Sequence, residues 1–156
     1  MNCETAKVFS DGDLKLAAGS SSSGRLEIYH DGQWGTVCDD TFDSNNNGAS
    51  VACRQLGFAS GTVMPSFTAP YGSGQIWLRN VGCSGLESTL TECTHDGWGV
   101  YVNFCSHSED VGVVCSEDPC SPSLCLNGAT CSSGGGTVGF TCTCATGYTG
   151  QLCDGE

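Results

Sequence analysis

Leu14 and Leu16 alternate with polar neighbours, and the same period of two returns at Leu26 and Ile28. Between them lies a small polar loop, Gly19-Ser-Ser-Ser-Ser-Gly24. Trp34 and Val37 follow the dipeptide Asp31-Gly32, whose tolerance of positive φ makes it a hairpin signal, so the pattern predicts two short strands around a turn. The period then changes. Ala49, Ala52, Cys53 and Leu56 share one helical face, Asn45-Asn46-Asn47 offers N-cap residues and Gly57 sits where a C-cap belongs. A helix is therefore expected over Gly48–Leu56. Leu86, Leu90 and Cys93 recur at helical spacing and predict a second short helix. Ile76-Trp77-Leu78 and Val111–Val114 are short unbroken apolar runs, read as buried strands. Leu26, Ile28, Trp34, Trp77 and Trp98 are expected in the core. The outcome is a compact α+β unit with long loops, from about Leu14 to Cys115.

Cysteine content adds a second unit. Of thirteen cysteines in 156 residues, Cys3 stands alone, six are widely spaced from Cys38 to Cys115, and six crowd between Cys120 and Cys153. Two complete even sets read as two disulfide-closed modules, and this density of bridges persists only in an oxidising compartment. The protein is thus expected to be secreted or part of an ectodomain. The division is a tail over 1–13, a first module over 14–115, a linker over 116–119, a second module over 120–153 and a tail over 154–156. With only Ser116–Pro119 between them, the modules are expected to hold a semi-fixed orientation. Met1–Ser10 lacks the basic start and apolar stretch of a signal peptide, which fits a mature form or a recombinant segment. No Asn-x-Ser/Thr sequon occurs.

Charge narrows the partners. Seventeen acidic residues against five basic ones give a net charge of −12. That field repels nucleic acid, heparin-like chains and anionic membrane, and suits a divalent cation or a basic partner. No apolar run approaches the length of a bilayer span, so membrane insertion is not expected.

The first module resembles the scavenger receptor cysteine-rich family. The matching residues are Gly24-Arg-Leu-Glu-Ile-Tyr-His-Asp-Gly-Gln-Trp-Gly-Thr-Val-Cys-Asp-Asp40, Ala52-Cys-Arg-Gln-Leu-Gly57, Ile76-Trp-Leu78, Val81-Gly-Cys-Ser-Gly85, Leu90-Thr-Glu-Cys93, Trp98-Gly99 and His107-Ser-Glu-Asp-Val-Gly-Val-Val-Cys115. The resemblance implies a curved antiparallel sheet cradling a helix, and the bridges Cys38–Cys105, Cys53–Cys115 and Cys83–Cys93. The positions of the extra bridge in the family's eight-cysteine branch fall near Ser23 and at Phe58, so this is the six-cysteine branch. The second module has cysteine gaps of four, five, ten, one and eight residues, with Asn127-Gly128 and Gly147-Tyr148. It resembles a small EGF-like β-hairpin domain, which implies Cys120–Cys131, Cys125–Cys142 and Cys144–Cys153, with Gly134-Gly-Gly136 at the hairpin tip.

Candidate chemistry centres on acidic residues. The implied Cys38–Cys105 bridge would bring Asp39-Asp40 near Glu109-Asp110, and convergent carboxylates suit a hard cation such as calcium or magnesium. The resemblance implies one cation site at positions matching Asp39, Asp40 and Glu109. The plainer alternative has Asp39 and Asp40 capping a turn while Glu109 pairs with an arginine such as Arg54. A second cation position found in some members falls at Trp77-Leu78-Arg79-Asn80, where Arg79 opposes it, even with Asn103 nearby. The EGF-like module lacks the acidic pattern of calcium-binding relatives, so no cation is expected there. Arg25, Glu27 and Tyr29 lie in a segment that some relatives use to engage microbial surfaces, and Trp98 and Tyr101 in the loop Gly97–Phe104 are further ligand-contact candidates. His95-Asp96, and His107 with Ser106 or Ser108, lack a nucleophile motif, and His107 is expected to hydrogen-bond within the fold.

The expectation is a non-enzymatic extracellular recognition module, acting in scavenging, innate immunity or adhesion. It would bind glycans, microbial surfaces or proteins with help from a divalent cation. The alternative is a structural or adhesive piece of a larger mosaic protein. For Cys3, an intermolecular bridge giving a Cys3-linked dimer, a partner lost by truncation and a free thiol all stand open.

Overall fold

The computed structural model describes residues 8–65, 68–120, 123–134 and 139–155. Cys3 therefore lies outside the described residues. The strands β1 (Leu14–Ala17), β2 (Ser23–His30), β3 (Gln33–Val37), β4 (Ser60–Val63), β5 (Ile76–Leu78) and β6 (Gly112–Ser116) form one sheet. Its order is β4-β6-β2-β3-β5, with β1 also paired to β2. The hairpin from β2 to β3 turns at Asp31 and Gly32, at φ of 49° and 75°, the positive angles that a tight two-residue turn demands. Along β2 the pleat buries Gly24, Leu26 and Ile28 and leaves Arg25, Glu27 and Tyr29 on the other face. The sheet is not wholly antiparallel, because β3 and β5 run parallel.

The helix α1 spans Asn47–Gln55 and packs on β4 and β6. Ala49, Ala52 and Cys53 are fully buried on its inner face. The asparagines before it tie it down in different ways. Asn45 Oδ1 accepts the Asn47 N–H at 2.9 Å, and Asn46 Oδ1 accepts the Val63 N–H of β4 at 3.0 Å. Gly57 ends the helix at φ 101°, a left-handed geometry that penalises any side chain.

The second expected helix does not form. Leu90–Glu92 makes a single 3₁₀ turn, and Leu86 and Leu90 face different partners. Leu90 is in the main core, whereas Leu86 packs against Leu124, Phe140 and Leu152 of the C-terminal module. The reason is local. The Glu87 carboxylate accepts the N–H groups of Ser84 and Gly85 at 2.9 and 3.0 Å, and Gly85 sits at φ 98°. Those bonds and the left-handed Gly85 close a tight loop that turns Leu86 toward the C-terminal module, away from the face Leu90 occupies.

Trp34 also departs from expectation. It is half-buried on the outer face, with the rings of Phe9 and Tyr29 at 5.0 and 5.3 Å and the Lys15 ammonium 4.4 Å above it. Trp77 and Trp98 are half-buried as well, packed against the main core from its edge.

Among the described residues there are six disulfides: Cys38–Cys105, Cys53–Cys115, Cys83–Cys93, Cys120–Cys131, Cys125–Cys142 and Cys144–Cys153. The C-terminal module is a hairpin of β7 (Thr130–Ser133) and β8 (Phe140–Thr143). Its described core holds only Leu124, Phe140 and Leu152, so the bridges supply what apolar burial cannot. Of the expected glycine tip, Gly135 and Gly136 lie outside the described residues.

The two modules touch through a small joint. Arg54 of α1 donates to the carbonyls of Gly85 and Glu87, and the loop so held presents Leu86 to Leu124 and Phe140. Ser60 Oγ donates to the Asp118 carbonyl at 2.6 Å. Leu86→Asp places a charge in this joint and removes apolar burial worth about 1–2 kcal/mol. The expected outcome is loss of shared tumbling in ¹⁵N relaxation, with both modules still folded. Unchanged common tumbling would contradict the joint.

Candidate functional site

The site gathers at one end of the sheet, where β3 runs into Cys38 and β5 ends at Leu78. The Cys38–Cys105 bridge ties the first of these ends to the loop before Glu109. Asp39 donates its backbone N–H to the Glu109 carbonyl at 2.9 Å, so the two acidic stretches are held together by backbone as well as by the bridge. A carboxylate oxygen of Asp40, one of Glu109 and the two bridge sulfurs all lie within 4.8 Å of one another. The sulfurs are spent in the disulfide and are soft, so the two carboxylates are the hard donors of this cluster. Asp39 is 7% exposed, and its carboxylate is not part of that cluster. Of the expected trio, Asp40 and Glu109 converge within that distance, and Asp39 adjoins them through the backbone.

Arg79 completes the cluster. Its Nε donates to Asp40 Oδ2 at 3.0 Å, and its Nη1 donates to Asp96 Oδ2 at 3.3 Å. The guanidinium lies 5.6 Å from the ring centre of Phe104. Asn80 donates to Asp96 at 2.9 Å and accepts from Thr41 Oγ1 at 3.0 Å. Arg54 is occupied at the module joint, so the alternative pairing of Glu109 with Arg54 does not form. Glu109 instead accepts the Ser106 N–H at 3.3 Å, as part of a capping box.

The backbone here is held in costly conformations. Seven non-glycine residues among those described have positive φ, and three of them, Thr41, Asn80 and Tyr101, surround this cluster. For a β-branched residue such as Thr41 that geometry is a true outlier, and such strain persists only where surrounding contacts over-determine it. Beside the charges, Tyr101 and Phe104 are 59% and 67% exposed, with Val100 next to them at 39%. Oxygen donors, a guanidinium and open aromatic faces therefore share one rigid surface. Two converging carboxylates suit a hard divalent cation, so Asp40 and Glu109 are the residues that would hold one, with Arg79 standing at Asp40 in competition.

The other ligand-contact candidates are placed differently. Arg25 and Glu27 pair at 2.8 Å with side chains only 14% and 13% exposed, and Arg25 also donates to the Pro70 carbonyl. Tyr29 packs against both Phe9 and Trp34. Trp98 stacks on His30 at 3.9 Å, with the two rings nearly parallel. These side chains are committed within the fold, whereas Tyr101 faces solvent. Sequence reading took Asp96 only as a neighbour of His95 and Phe104 only as the end of the loop from Gly97, and did not place either at this cluster. The signal available for Phe104 was its place one residue before Cys105, which anchors it at the bridge.

His107 closes a neighbouring loop. Its Nδ1 faces Asp110, whose side chain is fully buried, at 2.9 Å, and its Nε2 faces the Gly74 carbonyl at 2.9 Å. Asp110 Oδ2 also accepts the Gly72 N–H at 2.7 Å. Both ring nitrogens face acceptors, and only imidazolium donates from both. Partial burial disfavours the charge, but the bonds to Asp110 and Gly74 and the Asp110 charge outweigh both it and the opposing Arg25, so the pKa is raised. A raised folded pKa contributes stability that is fully present below the unfolded value near 6.5 and is lost as pH rises through the folded value. The wild-type Tm minus that of His107→Gln is therefore expected to shrink from pH 6 to pH 8.5. A difference that grows over that range would contradict the assignment. With its nitrogens so engaged, and Ser106 Oγ bonded to Ser108 Oγ at 2.6 Å, His107 is not poised as a base for either serine.

Among the described residues, no helix is long and apolar enough to cross a membrane. The family model for the scavenger receptor cysteine-rich domain matches residues 17–116, and that for the EGF-like domain matches residues 115–152. Lysyl oxidase homolog 4 of Bos taurus is 58% identical over 95 residues, which is 60% of this chain and 12% of that protein. Lysyl oxidase homolog 2 of Homo sapiens is 53% identical over 98 residues, again 12% of its length. The chain thus spans about an eighth of the curated relatives it matches. Among solved structures, the SRCR domain of mouse MARCO, crystallised in a dimeric form, is 44% identical. It superposes with a TM-score of 0.55 over 65% of this chain and 94% of its own. The third SRCR domain of murine neurotrypsin is 36% identical, with a TM-score of 0.56 over 66% and 94%.

Proposed function

The chain belongs to the scavenger receptor cysteine-rich family, and from that premise we propose that it is a non-enzymatic extracellular recognition unit. Its ligand, on a microbial surface, glycan or protein, meets the face formed by Asp40, Glu109, Tyr101 and Phe104. A calcium or magnesium ion held by Asp40 and Glu109 supplies positive charge that this acidic chain otherwise lacks. Asp39 supports the site by fixing the Glu109 backbone. The observation that carries the reading is the convergence of these two carboxylates on a strained, bridge-anchored surface beside open aromatic rings. The EGF-like module serves as a cation-free spacer set in orientation by the Leu86 joint.

A second reading is that the chain is a structural or adhesive piece of a larger mosaic protein. The small share of each relative that it spans favours this. Binding to a panel of bacteria, yeast, and sulfated and neutral glycans, in calcium and again in EDTA, separates the two. The recognition reading predicts capture of at least one class that EDTA reverses. Silence across the panel would favour the mosaic reading.

A further inference from the structure

We propose that Arg79 is a built-in competitor of the divalent cation, so that the guanidinium holds Asp40 until the cation displaces it. The inference rests on the reading in which Asp40 and Glu109 receive the cation, and it concerns what sets the affinity and threshold of that site.

The geometry carries the argument. Arg79 follows directly on β5, and the hydrogen bond from its Nε commits Asp40 Oδ2, one of the two oxygens Asp40 can offer a cation. The side chain is only 23% exposed, so it is a seated group and not a trailing surface arginine. Five basic residues serve seventeen acidic ones in this chain, and one of those five sits against Asp40 and Asp96. Asp40, Asp96 and Glu109 together leave the cluster with two net negative charges after Arg79 is counted. An attraction for a divalent cation therefore survives, weakened by a positive neighbour a few ångströms from the ligand oxygens.

Displacement also has a destination. Nη1 keeps its bond to Asp96, and the guanidinium keeps its place over the Phe104 ring, when Nε releases Asp40. Cation–π contact with an aromatic face and a second carboxylate are what a displaced guanidinium requires. Because Phe104 belongs to the exposed rim, cation binding would also change the charge that a ligand meets beside that ring. The ion acts here as a threshold switch as well as a charge. Thr41 and Asn80, bonded to each other and strained at positive φ, hold the flanking backbone so that the exchange falls on the arginine side chain.

Like charges at this range, partly screened by water, set the expected size of the effect at roughly ten- to a hundredfold in affinity. Calcium titrated by calorimetry into the chelator-treated whole chain should bind weakly to the wild type, and that much more tightly to Arg79→Gln, which keeps a hydrogen-bonding head without the charge. Adding Glu109→Gln to that variant should remove the gain. Equal calcium affinity in wild type and Arg79→Gln would overturn the inference and leave the cation reading standing, whereas absence of binding in both would overturn both. If Arg79→Gln fails to fold, the wild type decides. Its Arg79 Nε–H resonance should move during a calcium titration in step with Asp40, and an unmoved Arg79 signal beside a shifting Asp40 would overturn the inference.

Discussion

Replacing Cys53 and Cys115 together by alanine is expected to unfold the larger module near physiological temperature. Cys53 is fully buried on the inner face of α1, and Cys115 lies in β6 beneath it. Their bridge closes a segment of 62 residues, for which the loop-entropy picture gives about 4 kcal/mol. The module offers little to offset that. It has one nine-residue helix, short strands and long loops, and domains of this size hold only about 5–15 kcal/mol in total. A fall in Tm of roughly 15–30 °C is expected by calorimetry. Cys83–Cys93 closes a segment of ten, so its loss should cost less, about 3 kcal/mol. A Tm within a few degrees of wild type for Cys53→Ala/Cys115→Ala would mean that apolar packing, and not the bridge, holds helix to sheet.

The second large effect separates binding from folding. Asp40→Asn with Glu109→Gln is expected to abolish EDTA-sensitive capture while the fold stays intact. Both side chains are partly exposed, both substitutions keep size and hydrogen-bonding capacity, and neither the backbone bond from Asp39 to the Glu109 carbonyl nor the bond from the Gly72 N–H to the Asp110 carboxylate involves the replaced groups. The Arg79–Asp40 pair is only partly exposed, but Asn keeps an acceptor for Arg79 and ion pairs open to water contribute about 0–1 kcal/mol, so the change should lower Tm by only a few degrees. Retained EDTA-sensitive capture in this variant would move the cation elsewhere.

Much of this fold is legible in the chain. The period of two around Asp31-Gly32, the alanine face of α1 with Gly57 behind it, and the two cysteine sets each reflect one local rule, and local rules survive folding. The failures lie where tertiary partners override spacing. Leu86 sits at helical distance from Leu90, yet the C-terminal module claims it. Trp34 reads as core by size, but the pleat of the β2–β3 hairpin turns it to the outer face with Phe9 and Tyr29. At the site, Asp40 and Glu109 were visible because a family pattern marks them. The same pattern raised Arg25, Glu27, Tyr29 and Trp98, which the fold commits to pairs and stacks. Asp96 and Phe104 were in view only as a neighbour of His95 and as the end of a loop, because what joins them to the cluster is their contact with Arg79 and, for Asp96, with Asn80, which no spacing rule foretells.

Chemical-shift mapping tests the location of recognition most directly. The ¹⁵N-labelled chain is titrated in calcium with whichever ligand class the panel identifies. Shifts are predicted at Asp40, Arg79, Tyr101, Phe104 and Glu109, and EDTA should reverse them. Shifts confined to the outer face of β2, around Arg25, Glu27 and Tyr29, would contradict the account and place recognition on the other side of the sheet.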